Sequence, residues 1–184
     1  DSINTSYGNI QIVAERDFSH TNMAHIIKPA VAILEDRKAQ SIQGGTNTDD
    51  EWAARILNTI KGETWFVSGS FDGVGGTNTD FTLIPGYYRL SSKQCFYKTG
   101  DSVTRLYDTT NSKTIASSTS IYFEPSEINM GYSLLETAFT VTANTTFRMQ
   151  YYCKEEKTTN GLGSGCNITG HEEVFAIVEI EKLK

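Results

Sequence analysis

The dominant pattern along the chain is an alternation of apolar and polar positions with a period of two. Four apolar side chains share one face of Glu173–Lys182, namely Val174, Ala176, Val178 and Ile180. The other face carries Phe175, Ile177, Glu179 and Glu181. Such alternation is typical of a β-strand. Because the first half is apolar on both faces, we expect a second sheet to cover one side and another subunit to be a candidate for the other.

The same alternation predicts further strands between clusters of turn residues. They are 30–36, 87–97, 102–107, 113–118, 139–141 and 146–153. Turn signals such as Pro85-Gly86 and Thr99-Gly100-Asp101 separate them. Short strands with turns about every eight to twelve residues are typical of a sandwich. The sequence therefore predicts an all-β protein with an antiparallel β-sandwich or jelly roll rather than βαβ units.

Residues 48–60 carry two conflicting local signals. Thr48-Asp49-Asp50-Glu51 has the form of a helix capping box, and Trp52, Ile56 and Ile60 follow at helical spacing. The same segment also alternates as Trp52, Ala54 and Ile56, which is the spacing of a strand. Local rules alone favour a short helix here.

The composition indicates a folded domain without a basic surface. The chain has 184 residues, 11% of them aromatic, and a net charge of −6. The aromatic content is too high for a disordered segment, and scattered Lys and Arg argue against nucleic-acid or anionic-membrane binding. The apolar runs are too short to span a bilayer, so we expect no membrane insertion.

Candidate catalytic and metal-binding residues are few. The three histidines are His20, His25 and His171, and they do not have the spacing of a metal-binding motif. The three cysteines are Cys95, Cys153 and Cys166, and they include no Cys-x-x-Cys pair. We therefore expect all three to be small residues of the core. Cys153 and Cys166 are the one pair that merits a disulfide test. We expect no enzyme and neither metal nor cofactor.

The hexapeptide Gly-Gly-Thr-Asn-Thr-Asp occurs twice, at 44–49 and 75–80. The flanking residues differ, so the two copies do not indicate a repeat architecture. We expect both to be exposed turns, because Gly and Asn tolerate positive φ. A calcium loop is the minor alternative, since it needs more oxygen ligands than either copy supplies.

The C-terminal half resembles a known family in the order of its motifs. These are Arg105-Leu106-Tyr107-Asp108-Thr109-Thr110, Ser117-Ser118-Thr119-Ser120, Phe139-Thr140-Val141 and the segments 146–153 and 173–180. They resemble the C-terminal domains of phage tail-fibre, head-fibre and spike-like virion proteins, which have a TNF-like jelly roll. Residues 32–39, Gly44-Gly45-Thr46 and 52–60 look like the N-terminal part of that domain.

This resemblance covers residues 30–183 and implies several features. In that family the segment that corresponds to residues 52–60 has an extended backbone, so we expect a strand there rather than a helix. Residues 30–184 would form the jelly-roll domain, and residues 1–29 would be a linker that attaches to other virion proteins. The family also implies a homotrimer, with Phe175, Ile177 and, on the neighbouring strand, Tyr152 as interface candidates. The alternative is that these three belong to the core of one subunit.

Strand parity indicates which loops share an end of the jelly roll. If the last strand finishes at the base, the loops at 39–51, 98–101, 120–131 and 153–172 lie together at the tip. Long loops on a rigid sandwich commonly carry binding residues. The receptor-binding candidates are Tyr122, Phe123, Asn160 and His171, with Asp49 and Asp50 as a polar rim.

Three functional hypotheses follow. The first is a non-enzymatic trimeric fibre or spike tip on the surface of a phage virion, which attaches to a host-surface glycan or protein. The second is a capsid or tail decoration protein that cements other virion subunits and makes no host contact. The third is a glycan depolymerase, which would require a pair of carboxylates that the sequence does not identify.

Overall fold

A computed structural model describes residues 29–183 and shows twelve β-strands and no helix in that part of the chain. The strands are β1 (Ala30–Lys38), β2 (Ala53–Ala54), β3 (Thr59–Gly62), β4 (Val67–Ser68), β5 (Asp80–Leu83), β6 (Gly86–Tyr97), β7 (Gly100–Asp108), β8 (Lys113–Ser117), β9 (Ile121–Phe123), β10 (Met130–Val141), β11 (Thr145–Cys153) and β12 (Glu173–Lys182). The predicted linker at 1–29 lies outside the described residues except for Pro29.

The strands form two antiparallel sheets packed face to face. Sheet A has the order β10-β6-β12-β1-β3, so the last long strand lies between β1 and β6. Sheet B has the order β4-β5-β11-β7-β8, with β2 paired to β11 and β9 paired to β7. Chain neighbours such as β11 and β12 therefore lie in different sheets. The predicted antiparallel sandwich of jelly-roll type is confirmed.

The core changes character along the strands. On the inward face of β6, Tyr88 and Leu90 belong to the main apolar cluster, Ser92 and Gln94 are buried but polar, and Phe96 belongs to a second apolar cluster. The polar layer contains a fully buried ion pair, in which Arg55 Nη2 lies 3.2 Å from Asp36 Oδ2. Removing one partner of such a pair is strongly destabilising because it leaves the other charge buried alone.

Residues 52–60 are extended, as the resemblance implied, and not helical. Only β2 and β3 form ladders within this stretch, and the residues between them alternate across the sandwich. Arg55 and Leu57 point into the core, while Trp52 lies on the outside of sheet B. Burial of these alternate side chains outweighs the local helix signal.

One strand is much longer than its sequence pattern predicted. The prediction of a strand at 139–141 captures only the end of β10, which begins at Met130. In its first half the inward residue Ser133 is polar, whereas Tyr132 and Leu134 face outward and are exposed. This reversal of the usual pattern hid the strand and identifies an unusual outer surface.

Candidate functional site

The loops at one end of the sandwich pack into a single unit. They are the segments at 39–52, 98–99, 124–129 and 154–172. Backbone hydrogen bonds join them in pairs: Gly44 N to Gly163 O (2.9 Å), Tyr97 N to Gly161 O (3.0 Å), Lys98 N to Asn129 O (3.2 Å) and Lys154 N to Asp101 O (2.9 Å). Strand parity had placed these loops together, and the structure agrees. We call this unit the loop end.

Asn47 holds the loop end together. Its side chain is fully buried, its Nδ2 donates to Glu155 O at 2.7 Å, and its Oδ1 accepts from Lys157 N at 2.8 Å. A Cβ at Gly161 would lie 1.8 Å from that Oδ1, so only glycine fits there. The expectation that the first hexapeptide is simply an exposed turn is therefore wrong, because its asparagine supplies hydrogen bonds that the irregular backbone needs.

The buried Arg55 also binds the loop end from the core side. Its Nη2 donates to Leu162 O at 3.0 Å and its Nη1 contacts Cys95 O at 3.4 Å. Nothing in the local sequence distinguished this arginine from a surface residue. Its position shows that the 154–172 loop is anchored into the core rather than simply laid on the surface.

The receptor-binding candidates have different environments. Tyr122 is exposed, and its hydroxyl donates to Glu124 Oε2 at 2.9 Å. His171 is exposed and Asn160 is half-buried, both in the 154–172 loop. Phe123 is only 7% exposed and stacks against Phe96, which corrects its expected place on the contact surface.

The acidic rim candidates Asp49 and Asp50 are both exposed. Asp50 accepts hydrogen bonds from Lys154 Nζ at 2.6 Å and Tyr152 Oη at 2.9 Å. These hydrogen bonds, first from Lys154 and then from Tyr152, hold the pKa of Asp50 below its ordinary value. The pairing connects the loop end with the outer face of sheet B.

The three interface candidates do not share a surface. Tyr152 lies on β11 in sheet B, so its placement on the strand next to β12 is wrong. Phe175 is 4% exposed and is covered by its own chain, since a Cβ at Gly163 would lie 2.2 Å from its ring. Ile177 is 37% exposed on the outer face of sheet A. Of the three, only Ile177 offers substantial surface to a neighbour from sheet A.

Sheet A carries an exposed apolar patch around Ile177. We define this apolar patch by four side chains: Met130 (44% exposed), Tyr132 (45%), Leu134 (62%) and Ile177 (37%). Leu134 and Ile177 both pair with Lys93, from opposite sides of β6. A shallow depression of about 230 Å³ lies between them, and the charged Nζ of Lys93 lies 3.9 Å from the centre of the Tyr132 ring. Sequence analysis missed the β10 members because their strand reverses the usual alternation.

Sheet B carries a contrasting outer surface, which we call the Arg105 stack. It consists of Trp52, Arg105, Tyr107 and Tyr152. The Arg105 Cζ lies 3.9 Å from the centre of the Trp52 ring and 4.6 Å from that of Tyr107. Trp52 and Tyr152 contact each other with ring centres 5.7 Å apart. Burial lowers the pKa of Arg105 from its ordinary value.

The cysteines are free. Cys95 and Cys153 are buried, as expected for core residues, and burial raises the pKa of each thiol to about 11. Cys166 is exposed, which corrects its expected place in the core, and it forms no disulfide with Cys153. Within residues 29–183, no group of three or more His, Cys, Asp or Glu side chains is arranged to hold a metal ion. The same part of the chain has no helix that could cross a membrane.

No family model and no curated protein matches the chain. Among solved structures, murine APRIL at pH 8.0 is 10% identical, with a TM-score of 0.51 over 85% of this chain and 100% of that chain. The fold is a TNF-like jelly roll. Murine APRIL at pH 8.5 gives a TM-score of 0.50 with the same identity and coverage. The globular domain of zebrafish complement 1qA is 11% identical over 85% of this chain and 98% of that chain, with a TM-score of 0.49.

Proposed function

We propose that this TNF-like jelly roll is a homotrimeric binding domain without catalytic activity. In this proposal, its subunits meet through the outer face of sheet A and its loop end contacts a receptor. The resemblance of the motifs at 105–110 and 146–153 to phage virion proteins supports a place on the virion surface, as a fibre or spike tip that attaches to a host glycan or protein.

The apolar patch is the observation that carries the assembly. Contiguous exposed apolar surface on a folded protein commonly marks an interaction site. Burying it would contribute roughly 25 cal/mol for each Å² removed from water. The patch residues lie on paired strands, so their backbone is already ordered before a second copy covers them.

The position of the patch is compatible with a cyclic assembly. β10 is the edge strand of sheet A, whereas β12 lies in the middle of that sheet. In such an assembly, Leu134 on the edge strand of one subunit would contact Ile177 of the next subunit. A contact between two different surfaces is heterologous, and it closes into a cyclic oligomer when the rotation between copies fits.

Two carboxylates of the loop end are poorly suited to act as general acids. Glu124 accepts hydrogen bonds from Ser126 and Tyr122, which hold its pKa below the ordinary value. The pKa of Asp50 is lowered in the same direction by Lys154. Carboxylates with lowered pKa values are poor general acids near neutral pH. The exposed Tyr122 and His171 remain as contact groups for a receptor.

A pair of substitutions separates assembly from receptor binding. Leu134→Glu places a charge in the apolar patch, and we expect it to convert trimers into folded monomers by multi-angle light scattering. Val74→Glu is the matched control, because Val74 is 44% exposed in a segment that hydrogen-bonds to Arg37 and Asn58 near β3, whereas β10 lies at the opposite edge of sheet A. We expect this variant to remain trimeric.

Host attachment is tested with the same proteins. The unmodified chain should bind host cells, and imaging of the virion should place it at a fibre or spike tip. Tight binding to capsid or tail without binding to cells would contradict attachment and favour decoration. An unchanged trimer mass for Leu134→Glu would contradict the assembly through sheet A.

A further inference from the structure

The guanidinium of Arg105 is held by four side chains on the outer face of sheet B. The rings of Trp52 and Tyr107 lie 3.9 Å and 4.6 Å from its Cζ. Its Nε donates to Gln150 Oε1 at 2.8 Å, and its Nη1 donates to Thr114 Oγ1 at 3.2 Å. Arginine usually loses much side-chain entropy when it binds a ligand. Here, the protein has already ordered it.

No carboxylate of the described residues forms an ion pair with Arg105. Three other arginines do so: Arg37 with Glu35 and Glu172, Arg55 with Asp36, and Arg148 with Asp80. Gln150 and Thr114 engage two of the five N–H groups that a guanidinium carries, and both partners are neutral. Arg105 therefore keeps its positive charge and further donors in a chain whose net charge is −6.

An immobilised guanidinium with open donors is suited to a planar oxyanion. Because Nε already donates to Gln150, the Nη1 and Nη2 end is the planar fork left to match the two oxygens of a carboxylate. The flanking rings also restrict the directions from which a ligand can approach. The first requirement for a ligand at this position is therefore a carboxylate.

The surroundings of the guanidinium match a sugar ring. Trp52, Tyr107 and Tyr152 are half-buried, so each ring leaves part of its apolar surface accessible. A pyranose presents a flat C–H surface to such rings and hydroxyls at its rim. Tyr152 Oη donates to Asp50 and can still accept a hydrogen bond from a sugar hydroxyl. Amphipathic aromatic groups with polar atoms beside them suit this kind of ligand.

We propose that the Arg105 stack binds an acidic saccharide, with Arg105 contacting the sugar carboxylate and the aromatic rings contacting the sugar face. The site lies on sheet B, opposite the apolar patch, and all its residues come from one subunit. It does not rest on the proposed trimer or on receptor binding by the loop end. Its failure would leave both of those proposals standing.

Tryptophan fluorescence gives a direct readout. The chain has two tryptophans, and Trp65→Phe leaves Trp52 as the single reporter. This protein is titrated with tetragalacturonate, an oligoglucuronate and sialyllactose. We expect a saturable change in Trp52 fluorescence with at least one of them. The methyl ester of that sugar, which has the same ring but no charge, should bind roughly tenfold more weakly or worse.

Three substitutions in the Trp65→Phe protein define the contact. Arg105→Gln should weaken binding roughly tenfold or more, and Arg105→Lys should recover little because a point charge does not present a planar fork. Arg148→Gln is the matched control. It also removes a cation from the outer face of sheet B, but Asp80 already neutralises that cation. It should change the affinity less than about twofold. Far-UV circular dichroism checks that each variant is folded.

Three results would overturn the proposal. The first is the absence of a saturable change with all three acidic sugars. The second is equal affinity for the acid and its methyl ester, a comparison made in one protein that needs no variant beyond Trp65→Phe. The third is an equal loss in Arg148→Gln and Arg105→Gln, which would indicate diffuse electrostatic attraction.

Discussion

The outer face of sheet A leaves Leu134 62% exposed, whereas on sheet B the ring of Trp52 packs against the guanidinium of Arg105. Both surfaces carry large side chains on strands of one sandwich. On sheet B, stacking and hydrogen bonds within the subunit already cover much of that surface. On sheet A, Lys93 Nζ lies 3.9 Å from the centre of the Tyr132 ring, but Leu134 stays 62% exposed.

In the proposed assembly, this difference would separate two interfaces of one chain. A surface that is completed by another subunit retains exposed apolar groups in the isolated chain. A surface that remains in water is completed by its own polar and aromatic contacts. The jelly roll places these two surfaces on opposite sides, so assembly through one leaves the other accessible.

The largest effect on chain stability should come from the buried part of sheet A. Phe175→Ala removes a ring that Gly163 covers, and we expect it to lower the free energy of unfolding by about 3–5 kcal/mol. Ile177→Ala, two residues along the strand, should lower it by about 1 kcal/mol or less and weaken the trimer instead. Urea unfolding of both substitutions in the Leu134→Glu background, which we expect to be monomeric, measures the loss in the single chain without a contribution from assembly. Equal losses would remove the distinction between core and patch on this face.

The charged margin of sheet A should give a smaller, pH-dependent effect. Burial alone would raise the pKa of Glu35, but hydrogen bonds from Arg37 and Lys61 outweigh it and hold the pKa below its ordinary value of 4.5. The stability from this group is therefore present above pH 4.5 and is lost as pH falls through the lowered value. Urea midpoints at about pH 6 and about pH 3 should differ less in Glu35→Gln than in the unmodified chain. An identical pH dependence would contradict this assignment.

The smallest effect is expected on sheet B. Asp80 and Arg148 form a bidentate ion pair, and each of the two side chains is about one third exposed. Asp80→Asn should lower the free energy of unfolding by about 0.2–1 kcal/mol, as is usual for exposed pairs, and leave the mass in solution unchanged. Thermal unfolding and light scattering test the two parts. A change in mass would show that sheet B also contributes to assembly.

The sequence predicted the strands whose inward face is apolar, and it failed where that pattern reverses. Glu173–Lys182 was predicted with its observed bounds because Ala176, Val178 and Ile180 all face the core. The first half of β10 was missed because Ser133 faces inward and Leu134 outward. Strand alternation therefore located the core better than it located the exposed apolar patch.

The candidate site was harder to predict than the fold because it depends on contacts between distant segments. Tyr152 was placed beside β12 although β11 and β12, adjacent in the chain, lie in different sheets. Asn47 looked like a turn residue, yet it holds the 154–157 segment through two hydrogen bonds. Trp52 reaches Arg105 across β11, and no local spacing encodes that contact.

The mass of the unmodified full chain in solution tests the central claim most directly. Sedimentation equilibrium over a range of micromolar concentrations measures this mass, first for the unmodified chain and then for Leu134→Glu. If the apolar patch on sheet A is completed by neighbouring copies, the mass should be three times that of the single chain and should fall to one chain in Leu134→Glu. A monomer at every concentration would contradict the account.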